Sequence, residues 1–146
     1  YQLSDLESSK KNNSSKTLRI FHLRALFLLE MIVGVQGTSS FSDYNVFLRA
    51  MGVAMSALKD EDQYFYVYSA GPGALNSMVS EFVNLSERGM KSRGKKIKFY
   101  KVAPSWIEDN LVDINYFAFF SLPNEQQSKL VEKALNQNIE TAIFSY

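Results

Sequence analysis

The chain has 146 residues and a net charge of +1, with 46% hydrophobic and 21% charged residues. This length gives room for one domain, and the composition excludes a wholly disordered chain. The near-neutral charge implies no general affinity for nucleic acid or for membranes. Cysteine is absent and His22 is the only histidine, which excludes disulfide scaffolds, thiol nucleophiles and multi-histidine metal sites. We therefore expect no metal site and no resident cofactor.

The first thirty residues differ from the rest of the chain. Residues 1–16 are polar and rich in Ser, Asn and Lys, a composition that predicts a flexible tail. Residues 17–30 form a more apolar extension, but Arg24 and Glu30 interrupt it, whereas a membrane helix needs about 20 mostly apolar residues. A secretory signal needs an unbroken apolar core of about 7–15 residues. We therefore predict an added helix or strand, no membrane contact, and a cytoplasmic protein whose domain covers residues 31–146.

The first half of that domain predicts two strand–helix units. An apolar run rich in β-branched residues predicts a buried strand at 31–35. Ser42 is the predicted cap of a helix at 43–59, whose apolar residues recur on one face. A second strand is predicted at 64–69. It leads into a helix at 74–88 that Gly89 is expected to end.

The second half continues the alternation of strands and helices. A strand is predicted at 97–102 and is followed by a short helical or irregular piece. The run at 116–120 is apolar throughout, which is typical of a strand inside a sheet. Asn124 and Gln127 have the spacing of a capping box for a helix at 125–136. A last strand is predicted at 139–144.

This order of elements predicts the fold class. Alternating strands and helices favour a parallel sheet with right-handed crossovers, covered by helices on both faces. We therefore expect an α/β, Rossmann-like three-layer sandwich with a mainly parallel five-stranded sheet.

Ligands of such folds bind beyond the carboxyl ends of the strands. The loops there supply the candidate ligand-binding residues, which are Gly37, Thr38, Ser39, Ser40, Ser69, Gly71, Gly73, Trp106, Ser121 and Asn124. The loops 37–40 and 69–73 carry glycines and precede helices, so their N–H groups and the helix dipoles predict a site for an anion such as a phosphate. Neither loop is a Walker loop, and Asn76 stands where a GxGxxG motif needs its third glycine.

Several of these segments resemble the SLOG superfamily of Rossmann-like proteins, in its small YspA-like branch. The segment 33–44 resembles the end of the first strand in that group, and 68–74 resembles its second, glycine-bearing loop. Ala103-Pro-Ser-Trp106 is similar to a Pro-x-x-Trp segment, and 115–123 is similar to the late strand before a glycine-rich loop. The resemblance covers residues 31–146. It implies binding of a nucleotide or a nucleotide-derived molecule, and some relatives cleave nucleoside monophosphates at the glycosidic bond.

The chain departs from the family pattern at positions that matter for chemistry. Ser39 or Ser40 stands where the family has Arg, and Asn124 and Glu125 replace a pair of glycines. These changes remove a phosphate clamp and a close backbone approach. They favour binding without catalysis, so no catalytic residue is predicted.

Two alternative functions stay open at this stage. One is a glycosidic hydrolase of nucleoside monophosphates that uses Glu125 or Glu81. Another is a small adaptor, of a kind that a phage would encode, which binds RNA or modifies a host enzyme such as a tRNA synthetase. Its interface would include the basic stretch 91–101. The other interpretation of this stretch is a solvated turn with no partner. Trp106 either stacks on a base or fills the core, and homo-oligomers are a further option.

Overall fold

The computed structural model describes residues 29–146. The predicted tail at 1–16 and nearly all of the extension at 17–30 lie outside the described residues. Residues 31–59 and 65–146 form one compact unit. Of the other described residues, Leu29 accepts hydrogen bonds from the N–H groups of Gln63 and Tyr64.

Ten elements follow one another along the described chain. Five are strands, namely β1 (Glu30–Gly37), β2 (Tyr64–Ser69), β3 (Lys96–Lys101), β4 (Tyr116–Ser121) and β5 (Glu140–Ser145). Four are α-helices, namely α1 (Tyr44–Ser56), α2 (Gly73–Ser92), α3 (Pro104–Asp109) and α4 (Lys129–Asn136), and Leu111–Asp113 forms a 3-10 turn.

The five strands form one parallel sheet in the order β3-β2-β1-β4-β5. Strand β1 pairs with β4 from Val33 opposite Tyr116 to Gly37 opposite Phe120. The strand order reverses at β1, because the chain goes outward to β2 and β3 and then returns to β4 on the other side of β1. The fold is therefore the predicted α/β, Rossmann-like three-layer arrangement, and its switch point lies between β1 and β4.

Each face of the sheet has its own hydrophobic core. Alternate residues of the strands, including Val33, Val67 and Phe120, pack against α1 and α2. On the other face, Phe117 and Phe119 pack with Ile107 of α3 and with apolar residues of α4. All six residues of β4 are buried, as expected for a strand covered on both faces.

Two predicted helix boundaries in the first half of the domain are wrong, namely the start of α1 and the end of α2. Helix α1 is capped by Asp43, whose carboxylate accepts from Val46 N at 3.1 Å, and not by Ser42. Helix α2 does not end at Gly89 but continues to Ser92, because Met90 is a buried core residue that the helix must carry inward. The chain turns at Gly94, where φ is +73°, a backbone conformation that other residues rarely adopt.

The predicted capping box at Asn124 and Gln127 is also wrong. Asn124 lies in a turn with φ of +68°, and the helix starts only at Lys129. The segment between them is held by long-range contacts, because the Ser128 hydroxyl donates to Gln36 Oε1 at 2.6 Å. A local sequence pattern does not predict this contact, because Ser128 and Gln36 are 92 positions apart. None of the helices among residues 29–146 has the length and apolar character that crossing a membrane requires.

Candidate functional site

The loops after β1, β2 and β4 meet at Gly37. Gly37 N donates to the Gly71 carbonyl at 3.0 Å, and Thr38 N donates to the Phe120 carbonyl at 2.9 Å. A Cβ atom at Gly37 would lie 3.0 Å from that Phe120 oxygen and 3.4 Å from Leu75 Cδ2. The carboxyl ends of three strands and the first turn of α2 therefore converge on a position where any side chain would make close contacts.

The centre of this junction on the β4 side is the carboxylate of Glu125. The Thr38 hydroxyl donates to Oε1 at 2.7 Å, and the Ser40 hydroxyl donates to Oε2 at 2.9 Å. The backbone N–H of Leu122 donates to Oε1 at 2.6 Å. Two loops far apart in sequence are thus joined through one acidic side chain.

These donors change the ionisation of the carboxyl. The hydrogen bond from Thr38, followed by those from the Leu122 N–H and from Ser40, holds the pKa of Glu125 below its ordinary value. The group is therefore an anion at neutral pH. An anionic carboxylate accepts hydrogen bonds from hydroxyl or N–H groups and repels a phosphate, and it cannot serve as a general acid.

The start of α2 offers the opposite electrostatic character. Pro72 precedes the helix in an extended conformation and supplies no side-chain cap, and the first turn contains no acidic residue. Gly73 and Ala74 are exposed, and a Cβ atom at Gly73 would meet open space. The first N–H groups of a helix lack intrahelical acceptors and lie at the positive end of its dipole.

A half-buried amide side chain, that of Asn76, lies next to this helix start. Asn76 N donates to the Pro72 carbonyl at 3.0 Å, and its side-chain Nδ2 lies 3.8 Å from the place of a Cβ at Gly71. Its Oδ1 is buried without a hydrogen-bond donor among the described residues. Buried polar atoms in native proteins nearly always have a partner, so this oxygen marks a place for a water or ligand donor.

The predicted site residues fall into two groups in the structure. Gly37, Thr38, Ser40, Gly71 and Gly73 lie at the junction. Most of their polar groups already have partners inside the chain, since Gly71 N, for example, donates to the Ser69 hydroxyl at 3.2 Å. Ser39 and Asn124 are exposed on its rim. That these residues bind a ligand stays a prediction.

The second group consists of Ser69 and Ser121, which are buried, and Trp106, which lies away from the junction. The Ser121 hydroxyl is 3.1 Å from that of Ser145. Trp106 stacks on Tyr68, with ring centroids 4.4 Å apart and planes at 16°. The ring is half-buried at the edge of the second core, so Trp106 packs within the protein on one face.

From the sequence, Glu125 was considered only as a residue of the alternative hydrolase. The hydrogen bonds that Glu125 accepts from Thr38 and Ser40 were not predicted. A cavity of about 560 Å³ adjoins Glu125, lined by 125–129, Glu132 and Leu135. Within the described chain no cluster of three or more His, Asp or Glu side chains has the arrangement of a metal site.

Comparison with known proteins gives no matching family model, no matching curated protein and no matching solved structure.

Proposed function

We propose that this chain binds a nucleotide or a nucleotide-derived small molecule at the carboxyl edge of its sheet, as its resemblance to the SLOG superfamily implies. The observation that carries this proposal is the junction at Gly37, where three strand ends and the start of α2 come together. It lies at the switch point of the strand order, where open α/β sheets bind their ligands.

The first turn of α2 is the proposed place for the phosphate. It is exposed, uncapped and free of acidic residues, and the N–H groups of Gly73 and Ala74 have no acceptor among the described residues. The loop 37–40, by contrast, is a poor place for a phosphate because the anionic carboxylate of Glu125 already occupies its hydroxyl groups. The two loops therefore have different roles.

Glu125 is the proposed acceptor for the sugar. Its two oxygens each accept a hydrogen bond from a hydroxyl group, Oε1 from Thr38 and Oε2 from Ser40. A vicinal diol presents two hydroxyl donors to the same carboxylate, and the exposed Ser40 hydroxyl is the one that a ligand displaces at least cost. A ligand with a phosphate at the start of α2 and sugar hydroxyls at Glu125 would have the chemical groups of a nucleotide.

Binding without turnover fits the ionisation of the site. Glycosidic hydrolysis uses one carboxyl as the general acid that protonates the leaving group, and the hydrogen bonds that lower the pKa of Glu125 disfavour that role for it. Glu81 lies two turns into α2, near Tyr44, whose pKa is raised by burial and further raised by the charge of Glu81. We therefore propose a binding protein and not a hydrolase.

The test is a thermal-shift series with AMP, ADP, ADP-ribose, adenosine and inorganic phosphate. A ligand at one hundred times its Kd stabilises the native state by about 2.7 kcal/mol, or about 8 °C at roughly 3 °C per kcal/mol for a chain of this size. The decisive pair of variants is Gly73→Asp and Gly73→Asn. The two side chains have the same shape, and both fit the open space at this position.

We expect Gly73→Asn to keep most of the nucleotide shift and Gly73→Asp to abolish it, because only the latter places a negative charge at the phosphate site. Glu125→Gln should weaken adenosine and AMP alike while leaving inorganic phosphate unchanged. A flat response of the unmodified protein to every nucleotide would contradict the proposal. So would equal shifts in the two Gly73 variants.

A further inference from the structure

A basic cavity lies at the amino end of β3, far along the strand from the loops described above. It has a volume of about 500 Å³ and is lined by Lys91 at the end of α2 and by Lys95, Lys96 and Lys98, with Glu87 as its single acid. Four lysines against one carboxylate give the cavity a positive field.

The four lysines are not equivalent. Lys95 is only 6% exposed, and its ammonium donates to the Lys59 carbonyl at 3.1 Å, so it is part of the internal structure. Lys91, Lys96 and Lys98 are exposed, and no carboxylate in the described part of the chain forms an ion pair with them. Three cationic groups therefore face solvent without an ion pair to a carboxylate of residues 29–146.

The alternation of the edge strand aligns two of these lysines with an aromatic ring. Strand β3 is at the edge of the sheet, and its Ile97 and Phe99 pack towards the core. The side chains of Lys96, Lys98 and Tyr100 lie on the other face, at successive steps of about 6.6 Å along the strand. The edge thus presents two cations and one ring in a row.

The ring of Tyr100 is held in place and remains accessible. It is 40% exposed and stacks on Tyr68, with centroids 4.9 Å apart and planes at 20°. Tyr68 stacks in turn on Trp106, so Tyr100 is the outer member of an aromatic column. An ordered, exposed ring offers a stacking surface at little cost in side-chain entropy.

We propose that the edge of the sheet, where Lys96, Lys98 and Tyr100 lie along β3 and Lys91 lines the adjoining cavity, binds single-stranded nucleic acid. A positive groove that follows the phosphates, with aromatic rings on which bases stack, is the arrangement that such binding requires. An acidic protein segment would use the lysines but would have no use for the flat face of Tyr100. The proposal is independent of the nucleotide site at the carboxyl edge.

The experiment is fluorescence anisotropy of a labelled twelve-nucleotide oligo(U) or oligo(dT) without a terminal phosphate, titrated with the full chain. Three phosphate contacts predict a slope of log K against log salt of about −2, or about a 20-fold loss of affinity between 50 and 200 mM salt. The double variant Lys96→Gln/Lys98→Gln should reduce the slope to about −0.7. The matched control, Lys129→Gln/Lys133→Gln on α4, removes the same charge elsewhere and should leave the slope unchanged.

A second variant separates nucleic acid from an acidic partner. Tyr100→Leu should weaken oligonucleotide binding about 5- to 160-fold without altering the salt slope, since it removes stacking and not charge. The thermal unfolding midpoint of each variant shows whether it is folded. Absence of binding by the folded chain would overturn the proposal. So would a Tyr100→Leu affinity equal to that of the unmodified protein, together with equal competition by poly-glutamate.

Discussion

Substituting Gly37 by Ala tests the convergence of the loops on which the candidate site depends. The added Cβ would lie 3.0 Å from the Phe120 carbonyl oxygen, a backbone atom of the neighbouring strand. It would also lie 3.4 Å from Leu75 Cδ2 at the start of α2. Relief of the contact needs a movement of β4 relative to β1, in a part of the sheet where the two strands are hydrogen-bonded.

The expected change in the free energy of unfolding of Gly37→Ala is the difference of two opposed effects. Overpacking a well-packed region costs about 1–3 kcal/mol, and the reduced freedom of the unfolded chain on replacing Gly by Ala returns about 0.4–1 kcal/mol. A net loss of about 1–2 kcal/mol is expected. The matched control is Gly52→Ala in the exposed interior of α1, where no atom lies within 4 Å and the same change should stabilise by about 0.5–1 kcal/mol.

The assay is urea denaturation followed by far-UV circular dichroism. With an unchanged m value, the midpoint of Gly37→Ala should fall and that of Gly52→Ala should rise. A Gly37→Ala protein as stable as the unmodified chain would refute the close approach of β1 and β4 at this position.

Three further outcomes follow from the same structure. Phe120→Ala should lower the free energy of unfolding by about 3–5 kcal/mol in urea denaturation, because the ring is fully buried between the rings of Phe41, Phe47 and Phe144. Gly94→Ala should cost about 1 kcal/mol, since φ is +73° there, and a midpoint equal to that of the unmodified chain would contradict the assigned turn. Glu125 has a lowered folded-state pKa, so its stabilising contribution is present above the unfolded-state value and is lost as pH falls through the folded-state value. Thermal midpoints of Glu125→Gln and the unmodified protein should therefore differ at pH 7 and converge well below roughly pH 4.3, and a gap that widens in acid would count against this.

The fold was predictable because the spacing of apolar residues in a segment indicates whether it is a helix or a strand and which of its faces is buried. The run at Tyr64–Ser69 has the bounds that were predicted, and the uninterrupted apolar run at the start of β4 indicated burial on both faces. The alternation of strands and helices then leaves few topologies, since crossovers between parallel strands are right-handed.

Helix ends were less predictable, because tertiary contacts override local preferences. Gly89 has the composition of a helix end, yet burial of Met90 extends the helix by a further turn. Asn124 and Gln127 have the spacing of a cap, but the chain between β4 and α4 is held instead by Ser128. Local patterns carry no information about such partners.

The meeting of the loops after β1, β2 and β4 was predictable, but the contacts between their side chains were not. Parallel strands place the loops 37–40, 69–73 and 121–124 at one edge whatever their sequence. The hydrogen bond of Glu125 to Thr38 joins residues 87 positions apart, and only the folded chain reveals it. The loop 37–40 was expected to bind a phosphate. In the structure, its Thr38 and Ser40 hydroxyls donate instead to the carboxylate of Glu125.

The most direct test of the proposed binding site is a titration of the isotope-labelled protein with ADP, followed through its backbone amide resonances. We expect the largest shifts at Gly73, Ala74 and Leu75 at the start of α2, with a second set at Thr38 and Ser40. Shifts confined to 91–98, or none at saturating ADP, would contradict the assignment of the binding site to the carboxyl edge of the sheet.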